Sequence, residues 1–334
     1  MNPDMKNSSV KQKDGKPLVS FIITYHDEAM ELLIQSIDSV LSLSLSQKER
    51  EIIIVDDGSV YCPMNDLLNY GDDIVYIRKK NEGASVARNT GLLMASGTFI
   101  QFVDADDHLI ASAYEHCLDI ARYKNPDIVM FDYTRQEPGV EAFCEETGPM
   151  MGSEFMRHNN LRGLAWCYLF RRDILHNLRF TPGIVHEDEE FVPLLVLRSE
   201  RFFYVPAKSY FYLKRPTSVM GRQDVKSRLR RLDDKEKIIF KLYYMADRLP
   251  AADRLALQRR TDQLTMDYLY DIIVQSRSSK QLEERIGRLR KLGQFPLPDR
   301  RYTKKYVLFR RMANSGFGRK LMLACLPLYH KLSQ

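Results

Sequence analysis

Three carboxylates stand within four positions of the stretch FVDADDHL (102–109): Asp104, Asp106 and Asp107. Phe102 and Val103 read as the end of a buried strand, where like charges this dense disfavour one another's ionisation. A compensating partner is therefore expected from outside the chain. A hard divalent cation, Mg2+ or Mn2+, takes oxygen ligands, often only one or two of them protein carboxylates, with substrate phosphates completing the shell. Asp106 is the candidate ligand, through a metal that bridges to a diphosphate. The competing reading makes Asp106 and Asp107 caps of a helix entered at Ile110 and Ala111, since Asp is favoured at helix starts.

Two further clusters point the same way. IIIVDDGS (52–59) carries Asp57 to the rim of a strand, with Gly58 permitting the tight turn behind it. A carboxylate there can accept from the imide N–H of a uracil ring, or serve only to stabilise the turn. NEGASVARNTG (81–91) opens a helix, so its amides and Arg88 can meet a phosphate. It is not G-x-x-x-x-G-K-[ST], and no G-x-G-x-x-G follows the first strand, so nucleotide hydrolysis by a P-loop and hydride transfer on a dinucleotide both lose ground.

The elements that would position these residues alternate. LVSFIIT (18–24), EIIIVDD (51–57), DIVYIRK (73–79), TFIQFVD (98–104) and DIVMFDY (127–133) read as nearly fully buried strands. Between them, segments 29–43, 83–96 and 111–125 place apolar residues at helical spacing. Alternation of this kind predicts an α/β fold with a doubly wound, mostly parallel sheet. Its ligand crevice lies beyond the carboxyl ends of the strands, where Thr24, Tyr25, His26, Asp57 and Asp104 to Asp107 all fall. Residues 139–165 read as an irregular connection, and from about 225 onward the periodicity is helical.

Bulk properties narrow the class. The 334 residues, 44% apolar and 28% charged, suit a globular protein of one large or two ordinary domains. No apolar run approaches the roughly 18 residues a spanning helix needs. The five cysteines, scattered without a C-x-x-C pair, fit reduced thiols in the cytoplasm better than a disulfide scaffold or zinc site. Residues 1–16 read as a flexible leader rather than a secretory signal. Charge is divided: residues 1–200 hold 19 Lys and Arg against 32 Asp and Glu, and residues 201–334 hold 31 against 12. The basic half suggests an anionic membrane, substrate or nucleic acid.

In order and spacing, VSFIITYHDE, EIIIVDDGS, NEGASVARNTGL, FIQFVDADD, WCYLFRR and VHEDEEF resemble the inverting family 2 glycosyltransferases of GT-A fold, over about residues 18–220. The resemblance implies a nucleotide-sugar donor, usually a UDP-sugar, a divalent metal at a D-x-D motif, and transfer with inversion. It places Thr24, Tyr25 and Glu28 beside the nucleoside, Asp57 at the uracil and Arg88 at the base or diphosphate. Asp104 falls at the ribose and Asp106 at the metal, with Asp104 the second candidate ligand. One departure is T-Y-H after the first strand, where the family commonly has P-T/V-Y-N.

HEDEEF (186–191) then acquires a role. An inverting transfer needs a base to take the acceptor hydroxyl proton. The resemblance makes Asp188 that base, with Glu187 beside it. Four acids in one segment should raise at least one pKa, and acids also suit a helix N-terminus. Trp166, the sole tryptophan, falls where the family packs a ring against acceptor or sugar; a core position is the alternative. Lys214 and Arg215 in YFYLKRPTS (210–218) resemble a stretch that covers the diphosphate.

The expected organisation is a leader (1–16), a GT-A catalytic domain (17–220) and a helical, basic C-terminal region (221–334). The last 35 residues hold nine Lys or Arg and no acid. An amphipathic end of this kind suits a peripheral contact with the inner face of the plasma membrane. The expected acceptor is a glycan or lipid-linked oligosaccharide, and nucleic acid is not an expected partner. The rival readings are a nucleotidyltransferase acting on a sugar phosphate, which has no need of HEDEEF, and a non-catalytic membrane or nucleic-acid adaptor, which gives no reason for acids at three strand ends.

Overall fold

The computed structural model describes residues 15–136, 144–215 and 224–332, so most of the expected leader lies outside the described residues. The chain divides into two compact units: residues 1–152 with 162–215, and residues 153–161 with 216–334. Residues 153–161, which the sequence reading puts in the first domain, cluster with the second.

The first unit is built on a mixed sheet. Its strands are β1 (Val19–Tyr25), β2 (Arg50–Asp56), β3 (Ile74–Arg78), β4 (Phe99–Asp104), β5 (His108–Leu109), β6 (Ile128–Thr134), β7 (Thr147–Met150), β8 (Tyr168–Arg171) and β9 (Phe202–Phe211). They run in the order β3-β2-β1-β4-β8-β6-β9-β5, with β7 on β9. β3, β2, β1 and β4 are mutually parallel, as the alternating pattern requires. β8 then enters antiparallel between β4 and β6. Four residues are too few to show a period, which is why β8 is not legible as a strand. β3 is also more exposed than expected, because it is the edge of the sheet. Helices α1 (Met30–Leu41), α2 (Ala84–Met94) and α3 (Ala111–Tyr123) match the expected segments within a few residues. The connection 139–165 is not wholly irregular, since it contains β7 and α4 (Gly152–His158).

Two glycines set the approach of elements to the site. A Cβ on Gly91 would lie 2.3 Å from Cγ2 of Ile22, so α2 lies flush on β1 only without a side chain there. Gly58 has φ +73°, and a Cβ would meet the Asn81 amide nitrogen at 2.6 Å.

The second unit is helical: α6 (Val225–Ala246), α7 (Ala251–Ser276), α8 (Ser279–Leu292), α9 (Lys304–Asn314) and α10 (Gly316–Leu332). α5 (Glu187–Val196) belongs to the first unit. Caps mark the helix ends of the second: Asp224, Ser278 and Thr303 each accept a first-turn amide, and Gly293 closes α8 at φ +84°. α9 buries Tyr306, Phe309 and Ala313 and exposes Lys304, Leu308 and Arg311. α10 buries Met322 but leaves Phe317, Leu321, Ala324, Cys325 and Leu328 outside. These five recur at helical spacing and form one apolar stripe. No described helix is long and apolar enough to cross a membrane.

Candidate active site

The register of the sheet gathers the chemistry. Thr24 at the end of β1 is paired with Asp104 at the end of β4, and Tyr25 with Asp56 at the end of β2. Helix α2, packed over β1, brings Arg88 to the same rim. Arg88 is 5% exposed and donates to Asp104 (3.1 Å), to Glu187 (2.5 Å) and to Asp188 (3.2 Å). Its guanidinium lies 5.5 Å from the centre of the Phe180 ring. Asn89, one residue on, clasps Phe180 by accepting from its amide and donating to its carbonyl. The sequence ARN thus ties α2 to the segment that leads into α5.

Glu187 and Asp188 open α5, whose first turn contains all four acids of HEDEEF. His186 before them has φ +68°, a left-handed conformation that redirects the chain into the helix. Asp188 accepts from the Ala165 amide (3.0 Å) through one oxygen and from Arg88 through the other. Burial pushes its pKa up to about 7; Arg88 opposes the rise and Glu187 adds to it.

A second guanidinium serves the D-A-D-D carboxylates. Arg215 donates from Nε (2.7 Å) and NH2 (2.5 Å) to Asp106, and lies 3.7 Å from Glu28. Glu28 also accepts from the His26 amide (2.6 Å), and its carbonyl takes the Tyr25 hydroxyl (3.1 Å). Burial raises the pKa of both Asp106 and Glu28. Lys214 is exposed, and Pro216 to Ser218 of the expected covering stretch lie outside the described residues.

Asp107 corrects one expectation. It does not cap α3, whose N-cap Ile110 has no side-chain bond. It is instead 1% exposed and accepts from the Tyr210 hydroxyl (3.0 Å) and the Leu213 amide (2.8 Å). Burial, with Asp104 and Asp106 nearby, pushes its pKa up to about 9, so it is protonated near neutrality. Its place is structural: it holds the chain leaving β9 against β4.

Asp57 stands apart from these acids. Its carboxylate takes the Glu82 amide (2.9 Å), the Gly83 amide (2.7 Å) and the Lys79 ammonium (2.7 Å). It supplies from a neighbouring turn the cap that α2 lacks at its own N-cap, Gly83. Trp166 is a core residue, 3% exposed, stacked on Tyr210 at 4.3 Å.

Sequence reasoning missed Phe180, Tyr210 and the Ala165 amide. The lone-cluster signals FTPG and SYFY mark their segments, but the contacts are made across 23 to 106 residues, which no local pattern encodes.

Glu28, Asp104, Asp106, Glu187 and Asp188 thus share two guanidiniums, Arg88 and Arg215, with the buried Asp107 near Asp104 and Asp106. Even with Asp107 protonated the rim keeps a surplus of negative charge. Among the described residues no three His, Cys, Asp or Glu converge as a complete cage. Asp104 and Asp106 are oxygen donors of the kind a hard cation takes, one or two at a time.

Comparison with known proteins accords with this arrangement. The model of the family described as Glycosyl transferase family 2 matches residues 20–176. The chain is 31% identical over 219 residues to the uncharacterized glycosyltransferase EpsJ of Bacillus subtilis (strain 168), covering 61% of this chain and 63% of that protein. It spans between 54% and 63% of the first curated relatives it matches. In fold it resembles S. aureus TarS 1-349 in complex with UDP-GlcNAc, with TM-score 0.63, 19% identity, and 95% and 92% of the two chains covered. It also resembles the mannosyltransferase PcManGT from Pyrobaculum calidifontis in complex with GDP-Man and Mn2+, with TM-score 0.57, 15% identity, and 95% and 88% covered. The strand-end acids, the ARN stretch of α2 and the acidic opening of α5 lie on a GT-A fold, and residues 20–176 match the glycosyl transferase family 2 domain.

Proposed function

We propose that the protein is an inverting, hexosyltransferase-type enzyme that moves a sugar from a nucleotide-sugar, a UDP-sugar by preference, to a hydroxyl of a glycan or lipid-linked acceptor in surface-polysaccharide assembly. The observation that carries this reading is the Arg88 hub. One buried cation holds Asp188 and Glu187 against Asp104, which places a carboxylate of raised pKa beside the rim where the metal and donor would sit.

In this reading Asp188 takes the acceptor proton as the hydroxyl attacks the anomeric carbon. A carboxylate whose pKa lies near 7 is a stronger base than an ordinary one and is still ionised in a large share of molecules at neutral pH. Arg88 and the Ala165 amide fix its two oxygens, and Glu187 keeps the hub anionic. Asp106, with Asp104 beside it, would hold Mn2+ or Mg2+, which when bound supplies Lewis-acid stabilisation of the departing diphosphate. Arg215, now on Asp106, would be free to meet the same phosphates once that carboxylate had another partner. Thr24, Tyr25 and Glu28 line the loop expected to meet the nucleoside, while Asp57 steadies the start of α2.

The test is thermal stability with a panel of nucleotide sugars with and without Mn2+. Stabilisation by UDP only with metal, lost in Asp106→Ala, is the expected result. Indifference to every nucleotide would sink the proposal.

The α9 and α10 pair supplies a peripheral membrane contact at the cytoplasmic face of an anionic leaflet. α10 presents the apolar stripe from Phe317 to Leu328, α9 presents Lys304 and Arg311, and residues 300–334 contain no acid to oppose them.

A further inference from the structure

Beyond the acids of the rim, the carboxyl ends of β6 and β9 bring together a different chemistry. Tyr133 in β6 is paired with Tyr210 in β9, so Arg135 and Tyr212, which follow them, emerge side by side. Three rings are nearly coplanar in orientation and stacked: Tyr210 on Trp166 (4.3 Å, 13°) and Trp166 on Tyr212 (5.7 Å, 11°). Tyr133 meets Trp166 edge-on at 5.1 Å. The stack is buried at Tyr210 and Trp166 and reaches solvent at Tyr133 and Tyr212, which are half-buried.

At this open end Arg135 lies 5.2 Å from the centre of the Tyr212 ring and 5.8 Å from that of Tyr133. It is exposed and has no ion pair among the described residues. Its neighbour Arg162 contrasts with it, being paired with Asp132 at 2.6 Å while that carboxylate also accepts from Tyr204. Arg135 is thus a guanidinium held by two aromatic faces, with no carboxylate partner among the described residues. A planar, delocalised cation in this setting suits bidentate recognition of a phosphate or carboxylate. Aromatic faces beside it suit the apolar face of a sugar ring.

The middle ring of the same stack, Trp166, says which substrate this is. Trp166 follows Ala165, whose amide holds Asp188. The donor side, by contrast, has its own guanidiniums on Asp104 and Asp106. We propose that Tyr133, Tyr212 and Arg135 form an acceptor subsite: the rings carry a sugar, and Arg135 binds an anionic substituent on that sugar, a phosphate or a carboxylate. The subsite rests on the transferase reading for the word acceptor, but its binding chemistry can be measured without turnover.

Trp166, the only tryptophan, lies in the stack and reports on it. Its emission is followed while the full chain is titrated with glucose 1-phosphate, glucuronate, neutral glucose and inorganic phosphate. The expected result is a response to the two charged sugars at roughly tenfold or more lower concentration than to glucose, as a charge-assisted bidentate contact provides. Inorganic phosphate, lacking a ring to stack, should bind more weakly than glucose 1-phosphate. Arg135→Ala should erase the preference for charged sugars, and Arg135→Lys should restore part of it. Tyr212→Phe should leave it unchanged. Because Arg135 is exposed, its removal is not expected to disturb the core, and an unchanged melting temperature checks that.

Equal responses to charged and neutral sugars, or a preference that survives Arg135→Ala, would overturn the subsite. So would a loss of UDP-dependent stabilisation in Arg135→Ala, because the residue would then serve the donor. Failure of the wild-type chain to bind any nucleotide would instead count against the transferase reading while leaving the charged-sugar titration to stand or fall by itself.

Discussion

Arg88 and Arg285 are buried guanidiniums, one in each unit, and each gathers acids from distant parts of the chain. Arg285 in α8 donates to Asp233 (2.7 Å), Glu236 (3.2 Å) and the Tyr268 hydroxyl (2.8 Å), while Arg288 reaches the other oxygen of Glu236 at 3.2 Å. Two cations there answer Asp233, Glu236 and Glu284, and the outer two carboxylates, Asp233 and Glu284, are half exposed to water. Arg88 alone answers three. A buried network that balances its charges has finished its chemistry and serves to lock helices together. One that leaves anionic charge at the rim of a cleft is poised for a cation or a proton. The difference marks the Arg88 hub, and not the Arg285 hub, as the candidate site.

The largest expected effect breaks the comparison at its catalytic end. Asp188→Asn keeps the shape and the Ala165 contact but removes the proposed base, and transfer should fall about 10²- to 10⁴-fold while stabilisation by UDP and metal persists. Full activity in this variant would refute the assignment. The two arginines come next. Arg88→Ala and Arg285→Ala each strip a buried acid cluster of its cation, and each should lower stability by about 3–5 kcal/mol in urea unfolding. Adding Asp188→Asn should recover part of the loss in the Arg88 variant and none of it in the Arg285 variant. Equal rescue would mean that the two networks do not differ as their charges suggest.

A smaller effect follows from pH. Asp188 in the folded chain titrates near 7, above its ordinary value of 3.8. Its neutral form is the one burial favours, so its contribution to stability is fully present below the unfolded pKa and is lost as pH rises through about 7. Transfer by the ionised base should run the other way, with kcat/KM climbing across the same interval. A rate flat between pH 6 and 8, measured alongside unfolding, would detach Asp188 from the proton. The smallest effect concerns the basic helices. Replacing Phe317, Leu321 and Leu328 by Ser should weaken cosedimentation with vesicles containing phosphatidylglycerol several-fold, since binding scales with buried apolar area. Unchanged binding would assign the stripe to another contact.

Much of the first unit is legible in its sequence. The runs at 18–24, 51–57 and 98–104 are apolar on both faces because parallel strands are covered on both sides, and the helices between them keep a 3.6-residue period. The acids of DADD and HEDEEF are visible for the same reason: a carboxylate beside a buried run demands a partner. Less legible are β7, β8 and α4, which are too short for periodicity to declare. Asp107 is ambiguous in the sequence because a helix start and a buried hydrogen-bond site draw on the same residue type, and only the distant Tyr210 and Leu213 distinguish them.

The sequence by itself determined which residues could carry charge to the strand ends, and therefore the kind of chemistry available there. Only the tertiary structure decided how those charges are shared. Arg88 meets Asp188 one hundred residues away, and Arg215 meets Asp106 across 109. Such contacts depend on which helix lies flush against which strand, a matter of packing set by residues such as Gly91 and Ile22. The order of letters specifies local propensity, whereas the field at a carboxylate is the sum over everything the fold brings within a few ångströms of it.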